Sequence, residues 1–261
     1  MKKQFVYKLI KKIFLIIFII QAFLPLLTYF INNVIINKKG FFMIGIVVAL
    51  QKEAEPIVNL IENKIDSYVA GKKCYIGNLF NKDVCLIVSG IGKVSASLST
   101  QVLIDKFRVS HIINYGTCGG INKNVKIKNY YIVDKAFQFD FDVREIDDVP
   151  LGYIQEYDTV FFNSTPIENL PYQTATLATS DRFTKCEIDI KNIINNGATI
   201  RDMEGAAILQ VATSNSTPVY LIKGVTDVYG LGTDGEQFIK NLSFVCSGFP
   251  TVIENLLKNI Q

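Results

Sequence analysis

The sequence is poor in the residues that build metal centres and disulfide frameworks. Its 261 residues contain one histidine, His111, no tryptophan and five cysteines, none of which form a C-x-x-C pair. Structural zinc sites draw on closely spaced cysteine and histidine, so we expect no metal site and no cofactor. An odd number of cysteines gives little support to a disulfide framework, and we expect reduced, mostly buried thiols.

Acidic residues are absent from positions 1–42, which carry seven of the 27 basic residues. The rest of the chain has 20 basic and 24 acidic residues. This part, which we call the body, therefore has a net charge of −4, although the whole chain has a net charge of +3. A nucleic-acid groove needs a basic face, which this body lacks. We therefore expect a small-molecule partner and no nucleic acid.

The N-terminal extension contains an uncharged, apolar segment from residue 13 to residue 37. A helix of that length can cross a bilayer of roughly 30 Å, and it is longer than the apolar core of a signal peptide. The excess of lysine before the segment predicts a membrane anchor that leaves the domain exported. A second interpretation is that translation starts at Met43, which gives a cytoplasmic protein. In both cases we expect an extension over 1–42 and one domain over 43–261.

Apolar strands and helices alternate along that domain. Ile44–Ala49 reads as a buried strand, and Tyr75–Leu79 and Val84–Val88 read as a hairpin around Asn81. Gly90-Ile91-Gly92 opens a helix that places Val94, Leu98 and Val102 on one face. Further predictions are strands at 112–115, 131–133, 175–178 and 219–225, a glycine turn at 116–120, a loop region at 136–172, and helices from about 204 and about 250. This alternation predicts an α/β fold of three layers with a mixed central sheet.

Three acidic residues stand close to the ends of predicted strands or at helix starts. They are Glu53, Glu204 and Asp227. Ligands of α/β sheets collect at the carboxyl ends of strands, although an acid at a helix start also serves as a cap. Asp227 directly follows a predicted strand, which a capping role does not require. We therefore expect a ligand site that includes Asp227.

Five motifs in a fixed order identify a family resemblance. They are Ile44–Glu53, Ser89–Val94, Ile112–Gly120, Asp202–Ala206 and Val225–Val228. The set resembles the 5′-methylthioadenosine/S-adenosylhomocysteine nucleosidases, which belong to the nucleoside phosphorylase superfamily. The resemblance covers essentially all of 43–261 and implies a nucleoside phosphorylase/hydrolase-like fold. It also implies a homodimer and the hydrolysis of the bond between adenine N9 and ribose C1′.

Residue roles follow from this resemblance position by position. Asp227 is expected to be the general acid that protonates adenine N7, and Glu53 the group that orients and deprotonates the attacking water. Glu204 is expected to hold the ribose hydroxyls. The other implied pocket residues are Ile91, Thr117, Gly119, Phe183, Thr184, Met203 and Thr226, with Phe183 stacking on adenine and Met203 packing on the sugar. Acid and base need different environments, so we expect Asp227 to be the more desolvated and proton-retaining of the two.

Two positions depart from the family pattern. Phe139 stands where relatives often have histidine, and Arg182 stands where a small residue is common. Two other functions are also compatible with the sequence: a phosphorylase of the same fold, and a membrane-anchored surface-binding protein. A phosphorylase would bring arginines to a phosphate site, whereas this chain has four arginines in all and Asn114 ahead of Gly116. The sequence therefore favours a hydrolase.

Overall fold

The computed structural model describes residues 43–183 and 186–260. Thr184 and the predicted N-terminal extension lie outside these residues. The described helices are α1 (Gln51–Val58), α2 (Lys93–Phe107), α3 (Glu187–Asn195), α4 (Gly205–Ser214) and α5 (Asp234–Asn259), with a short 3-10 helix at Gln155–Tyr157. The described strands are β1 (Ile44–Val48), β2 (Glu62–Val69), β3 (Lys72–Leu79), β4 (Lys82–Val88), β5 (His111–Gly120), β6 (Tyr130–Gln138), β7 (Phe162–Asn163), β8 (Gln173–Thr179), β9 (Ile200–Asp202) and β10 (Val219–Val228).

One mixed sheet organises the domain, as the sequence predicts. Strand β1 is buried along its whole length and lies parallel to β4 and β5, which is the environment that its run of β-branched residues favours. Strand β10 pairs with β5 in parallel and with β6 antiparallel. Strand β6 also pairs with β8, β8 with β9, and β9 with β5. These four strands and β10 therefore form a closed ring of five. The hairpin of β3 and β4 continues the sheet on the other side of β1 to the edge strand β2.

Helices cover both faces of the sheet and make the three predicted layers. Helices α1 and α5 contribute to one apolar core, together with the side chains of β1 and β5 that face them. Helices α2 and α4 contribute to a second core on the opposite face. The domain belongs to the α/β class with a mixed central sheet, so the predicted fold class is confirmed.

The glycine-rich segment 116–120 is not a turn, and that prediction is wrong. It forms the second half of β5. Its glycines are needed because other groups approach the strand closely: an added Cβ would lie 3.4 Å from Glu53 Oε1 at Gly116 and 2.8 Å from Val125 Cγ1 at Gly120. The glycines therefore mark close packing against a strand.

The buried face of α2 also differs from the prediction. Val102 is buried, but Val94 and Leu98 are 80% and 43% exposed. The helix buries small side chains such as Ala96 and Ser99 instead, and these allow α2 to pack closely on α4. The apolar stripe at 94 and 98 therefore faces away from the core.

Several boundaries escaped the sequence patterns. Strands β2, β7 and β9 and helix α3 were not predicted. Helix α5 begins at Asp234 and continues through Pro250, which was expected to start it. Asp227 lies within β10, which extends past the predicted end at Val225.

Four of the five cysteines are buried, and Cys186 is exposed. Across 43–183 and 186–260, none of the helices combines the length and apolarity needed to cross a bilayer.

Gly224 tests the packing of α5 on the sheet. An added Cβ at Gly224 would overlap Val245 Cγ1 of α5 and lie 3.0 Å from Tyr130 Cε1. We expect Gly224→Ala to lower the free energy of unfolding by about 1–3 kcal/mol, as overpacked cores do. Urea denaturation measures the change. Gly235→Ala is the matched control because nothing lies within 4 Å of its added Cβ; equal stability of the two variants would contradict the packing argument.

Candidate active site

A cavity of about 410 Å³ opens where the carboxyl ends of several strands meet. Residues that follow β1 and β4 contribute to it, as do the last residues of β5, β9 and β10 and the first turns of α5. Nine of the ten residues singled out from the sequence line it: Glu53, Ile91, Thr117, Gly119, Phe183, Met203, Glu204, Thr226 and Asp227. The tenth, Thr184, lies outside the described residues.

Glu53 is fixed by three hydrogen bonds at the floor of the cavity. It is 2% exposed. Its Oε1 accepts from the backbone N–H and the hydroxyl of Thr117, both at 2.7 Å, and its Oε2 accepts from the Leu50 N–H at 3.0 Å. These bonds tie the start of α1 to β5. They leave the carboxylate in one orientation, facing the cavity.

Asp227 lies on β10 and is also 2% exposed. Exposure does not separate Asp227 from Glu53, so the greater desolvation of Asp227 stays a prediction, and hydrogen-bond partners distinguish the two residues instead. The Thr226 hydroxyl lies 2.8 Å from Asp227 Oδ1 and 3.2 Å from the Cys118 carbonyl oxygen. Burial raises the pKa of Asp227 above its ordinary value, although the Thr226 hydroxyl and Arg201 lower it in part. The shift has the direction that proton retention requires.

Arg201 joins Asp227 to a second buried carboxylate. Its Nη2 donates to Asp227 Oδ2 at 3.1 Å and to Asp234 Oδ2 at 2.7 Å. Asp234 lies in the first turn of α5, where a negative charge is favoured by the helix dipole. Arg201 is 5% exposed, so the ion pairs are shielded from solvent.

Glu204 lies beside a buried lysine. Burial, followed by the charge of Asp202, raises the pKa of Glu204 to about 7, and Lys223 opposes the rise. Glu204 Oε1 accepts from the Gly92 N–H at 2.9 Å, which connects β4 and α2 to the start of α4. Lys223 is 1% exposed and pairs with Asp202 at 2.9 Å. Burial lowers the pKa of Lys223, but Asp202, Glu204 and Glu53 raise it more, and the net shift is upward.

An aromatic and aliphatic wall faces these charges. Phe183 and Phe238 meet edge to face with ring centroids 6.4 Å apart. Met203, Ile91 and Ile239 complete the apolar lining. Phe183 is 45% exposed, so its ring is accessible to a planar ligand. The cavity thus combines a polar floor with an apolar wall, and its volume is that of a small-molecule pocket.

The two departures from the family pattern contact each other. The Arg182 guanidinium carbon lies 5.7 Å from the centroid of the buried Phe139 ring. Arg182 Nε also donates to Asp189 Oδ2 of α3 at 2.9 Å. Arg182 and Phe139 therefore form a cation–π pair beside the start of α3.

Four charged residues of the site were missed by the sequence patterns. They are Arg201, Asp202, Lys223 and Asp234. One signal was available: Lys223 is the single charge inside the apolar run Leu221–Val225, and a charge in a buried strand needs partners. Arg201 carried no comparable signal, because its partners come from β10 and α5.

Comparisons with known proteins identify the family of the chain. The family model described as the phosphorylase superfamily matches residues 43–257. The 5′-methylthioadenosine/S-adenosylhomocysteine nucleosidase of Arabidopsis thaliana is 34% identical over 80% of this chain and 88% of its own length. The nucleosidase of that name from Buchnera aphidicola subsp. Schizaphis graminum is 31% identical over 84% of this chain and 97% of its own length.

A solved structure shares the fold. The crystal structure of a 5′-methylthioadenosine/S-adenosylhomocysteine nucleosidase from Colwellia psychrerythraea 34H in complex with adenine aligns with a TM-score of 0.77 at 24% identity. The alignment covers 84% of this chain and 95% of that chain. The fold and the cavity define a member of the phosphorylase superfamily. Within it, the chain belongs to the family of the 5′-methylthioadenosine/S-adenosylhomocysteine nucleosidases, as the sequence motifs predict.

The raised pKa of Glu204 predicts a pH dependence of stability. The folded state holds the proton up to about pH 7, whereas the ordinary value is 4.5, so the contribution is full below 4.5 and is lost as pH rises through 7. Within that window, we expect the free energy of unfolding to fall by about 1 kcal/mol per pH unit on account of Glu204. Glu204→Gln should flatten this slope in urea denaturation at pH 5, 6, 7 and 8. The exposed Glu168→Gln is the control, and an unchanged slope in Glu204→Gln would contradict the prediction.

Proposed function

We propose that this chain hydrolyses the N-glycosidic bond of 5′-methylthioadenosine and S-adenosylhomocysteine and releases adenine. The observation that carries the proposal is the pair of buried carboxyl groups, Glu53 and Asp227, lining one cavity with different partners. Proteins of this name are the relatives of the chain over nearly their whole length. 5′-Deoxyadenosine belongs to the same chemical class of substrate.

Asp227 is the general acid. Adenine leaves poorly as an anion, and a proton on N7 turns it into a neutral leaving group. The proton moves from the Asp227 carboxyl group to N7, while the electron pair of the N9–C1′ bond moves into the purine. Thr226 serves both states of the carboxyl group, because its hydroxyl can donate to the carboxylate or accept from the acid and donate to the Cys118 carbonyl. General acid assistance typically contributes about 10²–10⁴ in rate.

Glu53 orients and deprotonates the water. The water oxygen forms the new bond to C1′, and its proton passes to the Glu53 carboxylate. The sugar becomes cationic as N9 leaves, and carboxylates in a water-poor cavity stabilise that charge. Glu204 holds the ribose hydroxyls as acceptor, with Met203 against the sugar and Phe183 stacked on adenine. Ile91, Thr117 and Gly119 line the remaining pocket, and the backbone of Thr184 is assigned to the base edge from the family motif.

Hydrolysis is favoured over phosphorolysis because the hydrogen-bond donors that could bind a phosphate already bind a carboxylate. The Thr117 N–H and hydroxyl are the type of donor pair that holds a phosphate oxygen, and both donate to Glu53 Oε1. A phosphate there would displace the carboxylate and meet its charge. A neutral water brings no such repulsion.

We also propose that two copies of the chain form a homodimer. Val94 and Leu98 form an exposed apolar stripe on α2, and Ile91 precedes the helix by two residues; their exposed fractions are 80%, 43% and 56%. Apolar side chains at such spacing on one helical face are typical of an interface. Ile91 also lines the cavity, so a second copy seated on the stripe would cover its rim.

We propose further that catalysis resides in residues 43–261. The family match begins at residue 43, and the lining residues of the cavity begin at Ala49. The extension then affects where the enzyme acts: membrane-anchored if residues 1–42 are translated, and cytoplasmic if translation starts at Met43.

Asp227→Asn tests the chemistry. The amide cannot give up a proton to N7, so we expect kcat for adenine release from methylthioadenosine to fall by about 10²–10⁴ while the fold is kept. Adenine release is followed without phosphate, and the sugar product is identified. The exposed Asp105→Asn is the control, and a chain starting at Met43 is assayed beside the full chain. A requirement for phosphate with a ribose 1-phosphate product would refute hydrolysis, and near-full activity of Asp227→Asn would remove Asp227 from its role.

Val94→Glu tests the homodimer. A charge on the exposed stripe has to be desolvated in an interface, so we expect the variant to sediment as a monomer and to show a higher KM. Ile65→Glu is the matched control, because Ile65 is 62% exposed on the edge strand β2. Sedimentation of the wild type as a monomer would overturn the proposal.

A further inference from the structure

An ion pair crosses three strands above the floor of the cavity. Gly119 of β5 lies in register between Arg201 of β9 and Asp227 of β10. A Cβ added at Gly119 would lie 2.6 Å from Asp227 Oδ2 and 2.9 Å from Arg201 Nε. The two side chains therefore meet across a position that can hold no side chain of its own. Gly119 is required for the contact between Arg201 and Asp227.

The Arg201 side chain is also held by a second carboxylate. The same Nη2 that reaches Asp227 donates to Asp234 at 2.7 Å. Among the described residues, no acceptor lies within hydrogen-bond distance of the buried Arg201 Nη1. A buried donor without a partner is destabilising, and this cost offsets part of what the two ion pairs of Arg201 contribute. Asp234 also lies one turn before Phe238, which lines the cavity.

We propose that Arg201, held in place by Asp234, is a positioning residue that orients the Asp227 carboxyl group and stabilises the carboxylate left after proton transfer. The inference rests on the proposed function of Asp227. In the transfer, the O–H bond of Asp227 breaks, the N7–H bond forms, and the electron pair of the O–H bond stays on the carboxylate. The hydrogen bond from Arg201 to Oδ2 strengthens as that charge forms, because its acceptor becomes ionised. The donor is already in place, so no reorganisation is needed at that moment.

The groups that face Asp227 determine in which direction each substitution moves its pKa. Burial raises the pKa of Asp227 most, Thr226 and Arg201 lower it, and Asp234 raises it. The Cys118 thiol of β5 also faces this cluster, and burial raises its pKa well above the ordinary value, so it stays neutral. An acid acts only while protonated, so activity is lost as pH rises through the pKa of Asp227. Removing Arg201 should move this alkaline limit up, and removing the Asp234 charge should move it down.

The experiment compares Arg201→Gln, Arg201→Lys and Asp234→Asn in the full chain. Adenine release from methylthioadenosine is measured across pH without phosphate. We expect Arg201→Gln to lose up to about 10²-fold in kcat with little change in KM, as a misplaced catalytic group does. Its alkaline limit should move to higher pH, whereas that of Asp234→Asn should move to lower pH. Arg201→Lys keeps the charge, so its limit should stay near that of the wild type with part of kcat restored.

Displacement of the alkaline limits of Arg201→Gln and Asp234→Asn in opposite directions separates a positioning role from a structural one. Loss of folded protein would lower kcat without moving these two limits apart. The exposed Arg108→Gln is the control, and thermal unfolding is measured for every variant. If Arg201→Gln does not fold, Arg201→Lys and Asp234→Asn still carry the test. Wild-type kcat with unmoved limits, or displacement of both limits in one direction, would overturn the inference. A wild-type chain that releases no adenine without phosphate would instead refute the proposed function.

Discussion

The burial of seven charged side chains around one cavity is the constraint on which the rest of the structure depends. Five are acids and two are bases: Glu53, Asp202, Glu204, Asp227, Asp234, Arg201 and Lys223. Buried charges are tolerated only when they are paired or hydrogen-bonded. Each of these has such a partner, and the partners come from strands and helices far apart in sequence. The ring of five strands and the glycines of β5 supply the positions and the room for these pairs.

The charges of the cluster do not cancel, and this imbalance suits the proposed chemistry. With Asp227 protonated as the proposed acid, the other four carboxyl groups outnumber the two cations, and this excess of negative charge favours the cationic transition state proposed for the sugar. The same excess is unfavourable without substrate. Glu204 relieves it by retaining a proton to about pH 7, because burial and Asp202 disfavour its charged form. The group assigned to the ribose is therefore the one that adjusts its charge.

Local patterns in the sequence predicted those parts of the molecule that local sequence determines. The apolar run at Ile44 predicted β1, and acids at the ends of strands predicted the cavity. The patterns failed where pairing between distant strands decides the outcome. Gly116 and Gly119 read as turn residues, because nothing nearby shows that Glu53 and Asp227 will approach them. Arg201 was missed for the same reason, since the register of β9 against β5 and of β5 against β10 brings it to Asp227.

Burial does not tell the acid from the base, since Glu53 and Asp227 are both 2% exposed. Their partners do. Glu53 is held by two backbone N–H groups and a hydroxyl, which fix its orientation at the floor of the cavity. Asp227 faces Thr226, which can exchange donor and acceptor roles, and an arginine whose hydrogen bond strengthens when the proton leaves. The opposite roles proposed for two carboxyl groups of equal exposure thus rest on the hydrogen-bonding groups placed beside them.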